Sequence, residues 1–196
     1  SFVKTTTNKV AEPPAKLAAM PLIRPAAIVI GSSTGGPDAL QKLFDNLDSA
    51  RINLPIFVTQ HMPPHFTAML AENLNKKSNF EIVEAKDGDI VKKNTVYMAP
   101  GDFHMEMQKQ LSGEIIIKTN QNPEENFCRP AVDPMLRSAS AAYGKNLIVC
   151  ILTGMGQDGL AGSKIAKDAG QKTPASFELN VKAYERAYGV GINFRE

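Results

Sequence analysis

The chain has 196 residues, 43% of them hydrophobic, and 22 basic residues against 20 acidic ones give a net charge of +2. This length allows one well-buried core. The small charge, with no basic cluster interleaved with aromatics, argues against nucleic-acid binding. No apolar stretch reaches the roughly 18 residues of a membrane helix, so membrane insertion is not expected.

Cysteine and histidine are scarce in this sequence. The cysteines are Cys128 and Cys150, and the histidines are His61, His65 and His104. Two cysteines form no disulfide framework, so a reducing cytoplasm is the expected location, and Cys150 in "NLIVCIL" reads as a buried strand residue. With three histidines and no CxxC pair, the sequence predicts no protein-built zinc site.

The chain divides by composition near residue 25. Residues 1–25 contain "EPPAK" and "RP" with little apolar periodicity, which predicts a mobile linker. Residues 26–196 carry the apolar patterns of one domain. A monomer is the plain expectation for such a chain.

The first half of that domain alternates strands and helices. "AAIVI" is a continuous apolar run, typical of a strand covered on both faces. The helix predicted after it places Leu40, Leu43, Phe44 and Leu47 on one face. "LPIFVTQ" and "HFTAMLAENLN" predict the next strand and helix.

The middle of the chain has a different pattern. "FEIVEA", "NTVYMAP", "HMEMQKQ" and "EIIIKTN" are short strand-like runs separated by Asp-Gly, Pro-Gly and Ser-Gly turns, which favour antiparallel hairpins. A helix in "AVDPMLRSASAAYG", a strand in "NLIVCIL" and a helix in "LAGSKIAKDAG" follow. The predicted class is α/β, a mostly parallel sheet with helices on both faces and an antiparallel β-hairpin insertion.

Three predicted strands end in polar residues. The first ends in "GSSTGG", the second in "TQHMPP" and a later one in "TGMGQDG". Ligands of open α/β sheets bind at the carboxyl ends of parallel strands. The three ends carry the hydroxyls of Ser32, Ser33 and Thr34, then His61, then Asp158. A hydroxyl, an imidazole and a carboxylate are therefore expected to converge there, as the nucleophile, base and orienting carboxylate of a hydrolase do.

The "GSSTGG" loop fits G-x-S-x-G with Ser33 at the apex of a strand-to-helix turn. It lacks the G-x-G-x-x-G dinucleotide pattern and the lysine of a Walker loop. Phosphate binding at the helix start stays open as an alternative. The order Ser, His, Asp differs from the Ser, Asp, His order of α/β-hydrolases.

Other polar residues offer competing interpretations. Asp102 and His104 in "PGDFHM" form a second carboxylate–imidazole pair, although no serine lies near them in the sequence. His65 is expected on the surface. His61 could be structural, and Asp158 could be a turn residue.

The motifs "IVIGSSTGGPDAL", "TQHMPPHFTAMLAENLN", "VYMAPGDFHM", "RPAVD" and "VCILTGMGQDGLAG" together resemble the catalytic domain of the chemotaxis receptor methylesterase (CheB) family. The resemblance runs from about Ile28 to Gly170. It implies a parallel α/β sheet with a β-hairpin. It also implies that the chain hydrolyses γ-glutamyl methyl esters of chemoreceptors. Some members of the family also deamidate receptor glutamines.

The resemblance also implies roles for particular residues. The family serine, histidine and aspartate fall on Ser33, His61 and Asp158. An oxyanion contribution maps to the backbone N–H of Met155, with Thr34 shaping the site. The resemblance implies no metal or organic cofactor. We also expect that Arg129 contacts the acidic surroundings of the receptor glutamates, or alternatively pairs with Asp133 at the start of the next helix.

The partners that the resemblance implies are the cytoplasmic part of methyl-accepting receptors and an N-terminal receiver domain. Residues 1–25 would then be the end of an interdomain linker. Two departures from the family pattern concern Cys128, where many members have histidine, and the tail 171–196. In that tail, Pro174 stands where a central strand needs an N–H. The alternative function is therefore a catalytically impaired receptor-binding module.

Overall fold

The computed structural model describes residues 25–168. Most of the predicted linker 1–25, and all of the divergent tail 171–196, lie outside the described residues. The described strands are β1 (Ala27–Ser32), β2 (Ile56–Gln60), β3 (Glu81–Glu84), β4 (Thr95–Met98), β5 (His104–Lys109), β6 (Ile115–Asn120) and β7 (Leu147–Ile151). The described helices are α1 (Gly36–Asn46), α2 (Phe66–Lys77), α3 (Val132–Tyr143) and α4 (Leu160–Asp168). None of these helices is long and apolar enough to cross a membrane.

Five of the described strands form a parallel sheet in the order β3-β4-β2-β1-β7. All residues of β1 and β2 are buried, as the continuous apolar runs predict for strands covered on both faces. Alternate side chains of each strand point to opposite faces of the sheet. Ile28 and Ile30 enter one core while Val29 enters the other.

Helices cover both faces of this sheet. Leu40 and Phe44 of α1 and Leu74 of α2 bury their side chains in one core, and Met135 and Leu136 of α3 do so in the other. The hairpin strands β5 and β6 also pack on the α3 side. The predicted α/β class with helices on both faces is confirmed.

The prediction of antiparallel hairpins is correct for β5 and β6 but wrong for β3 and β4, which pair in parallel. The turn at Asp87–Gly88 does not return the chain along β3. Instead, the Gly88 N–H donates to the carbonyl of Ile117, and the Val91 N–H to that of Ile115. The connection is thus docked on β6 before the chain enters β4 in the same direction as β3.

The last described strand, β7, is less covered than its apolar sequence predicts. It pairs with β1 on one side and lies at the edge of the sheet as far as residues 25–168 show. Cys150 on this strand is only partly exposed, and burial raises the pKa of its thiol to about 11. It therefore remains a neutral packing residue at physiological pH.

Candidate active site

The ends of β1, β2 and β7 bring three polar segments together at the carboxyl edge of the sheet. Ser32 pairs with Gln60, and Gly31 pairs with Ile151, so the three strands end level with one another. The pairing continues one step beyond the strands, because the N–H of His61 donates to the carbonyl of Ser32 at 3.1 Å. Strand register therefore places the predicted nucleophile turn directly beside the predicted base.

Ser33, His61 and Asp158 form a continuous chain of hydrogen bonds. Nδ1 of His61 lies 3.1 Å from Oγ of Ser33, and its Nε2 lies 2.6 Å from Oδ2 of Asp158. A carboxylate accepts only, so Nε2 carries the proton and the Nδ1 lone pair faces the serine hydroxyl. This arrangement provides a base for the hydroxyl proton.

Asp158 also caps α3. Its Oδ2 accepts the N–H of Val132 at 2.6 Å, and its Oδ1 accepts that of Asp133 at 3.0 Å. Burial alone would raise the pKa of Asp158, but the hydrogen bonds from His61 and from these two backbone groups outweigh burial and lower it. The side chain, only 4% exposed, is thus ionised at neutral pH.

Asp133 fixes the loop that carries Asp158. Its Oδ1 accepts the N–H groups of Gly159 at 3.1 Å and Gly162 at 2.7 Å. Its Oδ2 accepts from Nδ2 of Asn126. The buried carboxylate therefore joins the start of α3 to the start of α4, a role that the sequence analysis missed.

Gln60 is a second positioning residue that the sequence analysis missed. Its Oε1 accepts the hydroxyl of Ser32 at 2.7 Å, and its Nε2 donates to the carbonyls of Ser33 at 2.9 Å and His61 at 3.0 Å. The amide is buried, and a Cβ at Gly36 would collide with it. The only signal in the sequence was a polar residue ending an apolar strand.

The loop after β7 lies against the serine turn. The carbonyl of Thr153 accepts the N–H of Ser33 at 2.7 Å, and its hydroxyl donates to the carbonyl of Thr34 at 2.8 Å. A Cβ on Gly154 would lie 2.6 Å from that of Ser33, so only glycine allows this approach. Met155 directly follows this point of close approach to Ser33, and its side chain is exposed.

Cys128 adds a thiol to the same side of the imidazole. Its Sγ lies 3.5 Å from Nδ1 of His61, the nitrogen that also faces Ser33. Burial, and then the negative charges of Asp158 and Glu124, raise the pKa of this thiol. Cys128 is accordingly a protonated neighbour at neutral pH rather than a competing thiolate nucleophile.

The competing pair, Asp102 and His104, does not form a second site of this kind. Asp102 accepts two hydrogen bonds from the guanidinium of Arg129, at 2.9 and 2.7 Å. His104 is buried, and its ring nitrogens face the carbonyl of Pro123 and the N–H of Ala131. Asp102 thus holds the guanidinium of Arg129, and His104 joins two segments of the backbone.

Arg129 does not pair with Asp133, so that alternative is wrong. Asp133 faces the backbone of α4, whereas Arg129 contacts Asp102 and the carbonyls of Gln121 and Asn122. A receptor contact by Arg129 stays a prediction. His65 is exposed at the N-cap of α2, as expected.

Comparison with known proteins identifies the family. A sequence model of the CheB methylesterase family matches residues 28–185, which extends past the end of the motifs at Gly170. The crystal structure of the Thermotoga maritima CheB methylesterase catalytic domain is 42% identical, with a TM-score of 0.71, and the match covers 76% of this chain and 77% of that one.

Two curated relatives have the same name, protein-glutamate methylesterase/protein-glutamine glutaminase, the first with the number 1. The protein from Paramagnetospirillum magneticum is 49% identical over 80% of this chain and 41% of its own length. That from Archaeoglobus fulgidus is 46% identical over 77% of this chain and 43% of its own. The chain thus spans about two fifths of these relatives, and it belongs to the CheB methylesterase family.

Proposed function

We propose that this chain is the catalytic part of a protein-glutamate methylesterase, which hydrolyses γ-glutamyl methyl esters on chemotaxis receptors. The observation that carries the proposal is the hydrogen-bonded chain from Ser33 through His61 to Asp158. Family membership supplies the substrate class, because the relatives are named for this activity. The same names support deamidation of receptor glutamines through the same chemistry.

The reaction begins when Oγ of Ser33 attacks the ester carbonyl. Its proton passes to Nδ1 of His61, and the ionised Asp158 stabilises the imidazolium that forms. The tetrahedral intermediate expels methoxide, which takes the proton from His61 and leaves as methanol. Water then attacks the glutamyl-serine ester with His61 as base, releasing glutamate and restoring Ser33.

The intermediate also needs donors for its oxyanion. We assign the backbone N–H of Met155 to this role, with Thr34 shaping the same side of the site. The assignment is supported by the close approach of Gly154 to Ser33 and by the hydrogen bond from Thr153 to Thr34. Loss of one such donor costs about 3 kcal/mol in activation free energy in acyl-transfer enzymes.

The receptor would contact the exposed apolar residues beside the hydrogen-bonded series from Ser33 to Asp158. Phe127 is 96% exposed between Asn126, which donates to Asp158, and Cys128, which contacts His61. Met155 is 83% exposed on the loop near Ser33. Exposed apolar residues at a site are typical of protein-binding surfaces. A receiver domain in the whole protein is part of this proposal, because the relatives are much longer than the match.

The test is the release of methanol from methylated chemoreceptor. Ser33→Ala should lower the rate by at least about 10⁴-fold, because the nucleophile is gone. Ser32→Ala is the matched control, since the hydroxyl of Ser32 donates to Gln60 and not to His61. It should retain most of the activity.

Circular dichroism should show that both variants are folded. Equal rates for Ser33→Ala and the unchanged chain would refute the assignment of the nucleophile. No methanol release by a folded, unchanged chain would instead favour the receptor-binding alternative.

A further inference from the structure

We infer that the active site binds one Zn²⁺ ion through Nδ1 of His61 and Sγ of Cys128, and that this ion inhibits the esterase. The inhibitory effect rests on the proposed function, whereas the binding does not. The ligand atoms of His61, Cys128 and Asp158 lie within 4.8 Å of one another in the described part of the chain. They come from three separate segments, so no ligand spacing in the sequence indicated them.

The distances around Nδ1 match a tetrahedral zinc site. With Zn–S of about 2.3 Å and Zn–N of about 2.0–2.1 Å, the sulfur and nitrogen of such a site are about 3.6 Å apart. The distance from Sγ of Cys128 to Nδ1 of His61 is 3.5 Å. Oγ of Ser33, at 3.1 Å from the same nitrogen, can be a third ligand, and water the fourth. The separation of the sulfur and the nitrogen is therefore already that of a zinc site.

Asp158 does not bind the ion in this arrangement but holds its ligand His61. It accepts the Nε2–H of His61 at 2.6 Å, which leaves the Nδ1 lone pair available to a metal. Carboxylates hold metal-binding histidines in this way in many zinc proteins. The hydrogen bonds that prepare His61 as a base thus also prepare it as a zinc ligand.

Zinc binding and catalysis exclude each other here. The ion occupies the nitrogen that must take the proton of Ser33, so the hydroxyl loses its base. Cys128 releases its thiol proton to solvent when its thiolate binds the ion. Removal of the ion by a chelator restores the free imidazole, so the inhibition is reversible.

The first test measures binding, independently of activity. Co²⁺ is titrated as a spectroscopic substitute into the unchanged chain, Cys128→Ala and Cys128→Ser under reducing conditions. One Co²⁺ per chain with a thiolate charge-transfer absorption is expected, and both Cys128 variants should lack that absorption. Competition with a chromophoric chelator should show Zn²⁺ affinity lowered by about tenfold or more in both.

Cys150→Ala is the matched control, because it removes the other cysteine, on β7, and should retain both the absorption and the affinity. Ser33→Ala should also retain the thiolate absorption. Two results would overturn the proposal. One is the absence of that absorption in the folded, unchanged chain, and the other is a Zn²⁺ affinity of the Cys128 variants equal to that of the unchanged chain.

The second test measures methanol release at increasing Zn²⁺, relative to each variant's own rate without the ion. The unchanged chain and Cys150→Ala should lose activity together and regain it with chelator, while Cys128→Ser should need about tenfold more Zn²⁺. An active chain that binds no Zn²⁺ contradicts the metal site alone. A chain that binds Zn²⁺ but releases no methanol even when the ion is absent contradicts the proposed function alone.

Discussion

Two histidines of this protein have the same pattern of ring hydrogen bonds and different surroundings. His61 faces Asp158 with Nε2 and the Ser33 hydroxyl with Nδ1. His104 faces the carbonyl of Pro123 with Nε2, at 3.1 Å, and accepts the N–H of Ala131 with Nδ1, at 3.2 Å. Each ring therefore donates from Nε2 and accepts at Nδ1.

The difference lies in what the accepting nitrogen faces. A backbone N–H does not give up its proton at neutral pH, so the imidazole of His104 can only join two segments of chain. A serine hydroxyl loses its proton as it attacks, so the imidazole of His61 can act as a base. The carboxylate of Asp158, on the other side of His61, stabilises the imidazolium that results. The neutral carbonyl that faces His104 would stabilise such a cation less.

The largest expected effect comes from exchanging each histidine for glutamine. His61→Gln should lower methanol release by at least about 10⁴-fold with little loss of stability, because the base is removed at a partly exposed position. His104→Gln should instead destabilise the fold by about 2–4 kcal/mol, since the buried imidazole is lost together with its hydrogen bonds to the buried N–H of Ala131 and to the carbonyl of Pro123. Its activity per folded molecule should be close to that of the unchanged chain.

Rates and denaturant unfolding curves separate these two outcomes. Comparable losses of rate per folded molecule in both variants would contradict the comparison between the histidines.

The next largest effect is expected at Gln60, which is hydrogen-bonded to the backbone of both Ser33 and His61. Gln60→Met keeps the volume but removes the hydrogen bonds to the carbonyls of Ser33 and His61. A misplacement of about 1 Å lowers rates by roughly 10²-fold, and we expect a decrease of that size in kcat. Gln108→Met is the control at an exposed position of β5 and should not change kcat.

Gln60→Met should also lower the free energy of unfolding, and kcat is therefore measured on the folded fraction. An unchanged kcat would mean that the backbone alone positions the two catalytic residues.

A smaller effect is expected at the rim of the site. Phe127→Ser should raise KM for methylated receptor by roughly 5–30-fold, or about 1–2 kcal/mol, because an exposed apolar contact is lost. Leu111→Ser removes an equally exposed apolar side chain from the turn between β5 and β6 and should leave KM unchanged. Equal effects of the two substitutions would place the receptor elsewhere.

The smallest effect is the acid sensitivity of folding that Asp158 contributes. Its pKa is lowered in the folded chain, so its stabilisation is complete above the ordinary value of about 3.9 and is lost as the pH falls through the lower folded value. Unfolding measured from pH 7 to pH 3 should show a shallower acid decline for Asp158→Asn. A decline as steep as that of the unchanged chain would contradict this linkage.

The sequence predicts the general architecture and the convergence of Ser33, His61 and Asp158, because apolar runs define the strands and their carboxyl ends meet at one edge. It does not predict that β3 and β4 are parallel. Their relative direction depends on the docking of the intervening chain on β6, through contacts such as Gly88 with Ile117. Such contacts leave no local signature in the sequence.

The supporting polar residues were missed for a related reason. Gln60 and Asp133 form hydrogen bonds with backbone groups. Because backbone groups do not depend on residue type, the sequence does not reveal which residues are the partners. From the sequence, Asp133 is a possible partner of Arg129, because it is close in the sequence and stands at the start of the next helix. The observed partner, Asp102, reaches it from the turn before β5. Chain proximity is a weak guide to side-chain pairing in a fold dominated by long-range contacts.

The central claim is that the hydroxyl of Ser33, activated by His61, is the nucleophile. The most direct measurement is mass spectrometry of the chain after reaction with a fluorophosphonate, which labels activated serines. One adduct on Ser33 is predicted in the unchanged chain and in His104→Gln, with none in Ser33→Ala and little in His61→Gln. A folded, unchanged chain that is unlabelled, or is labelled at another residue, would contradict the account.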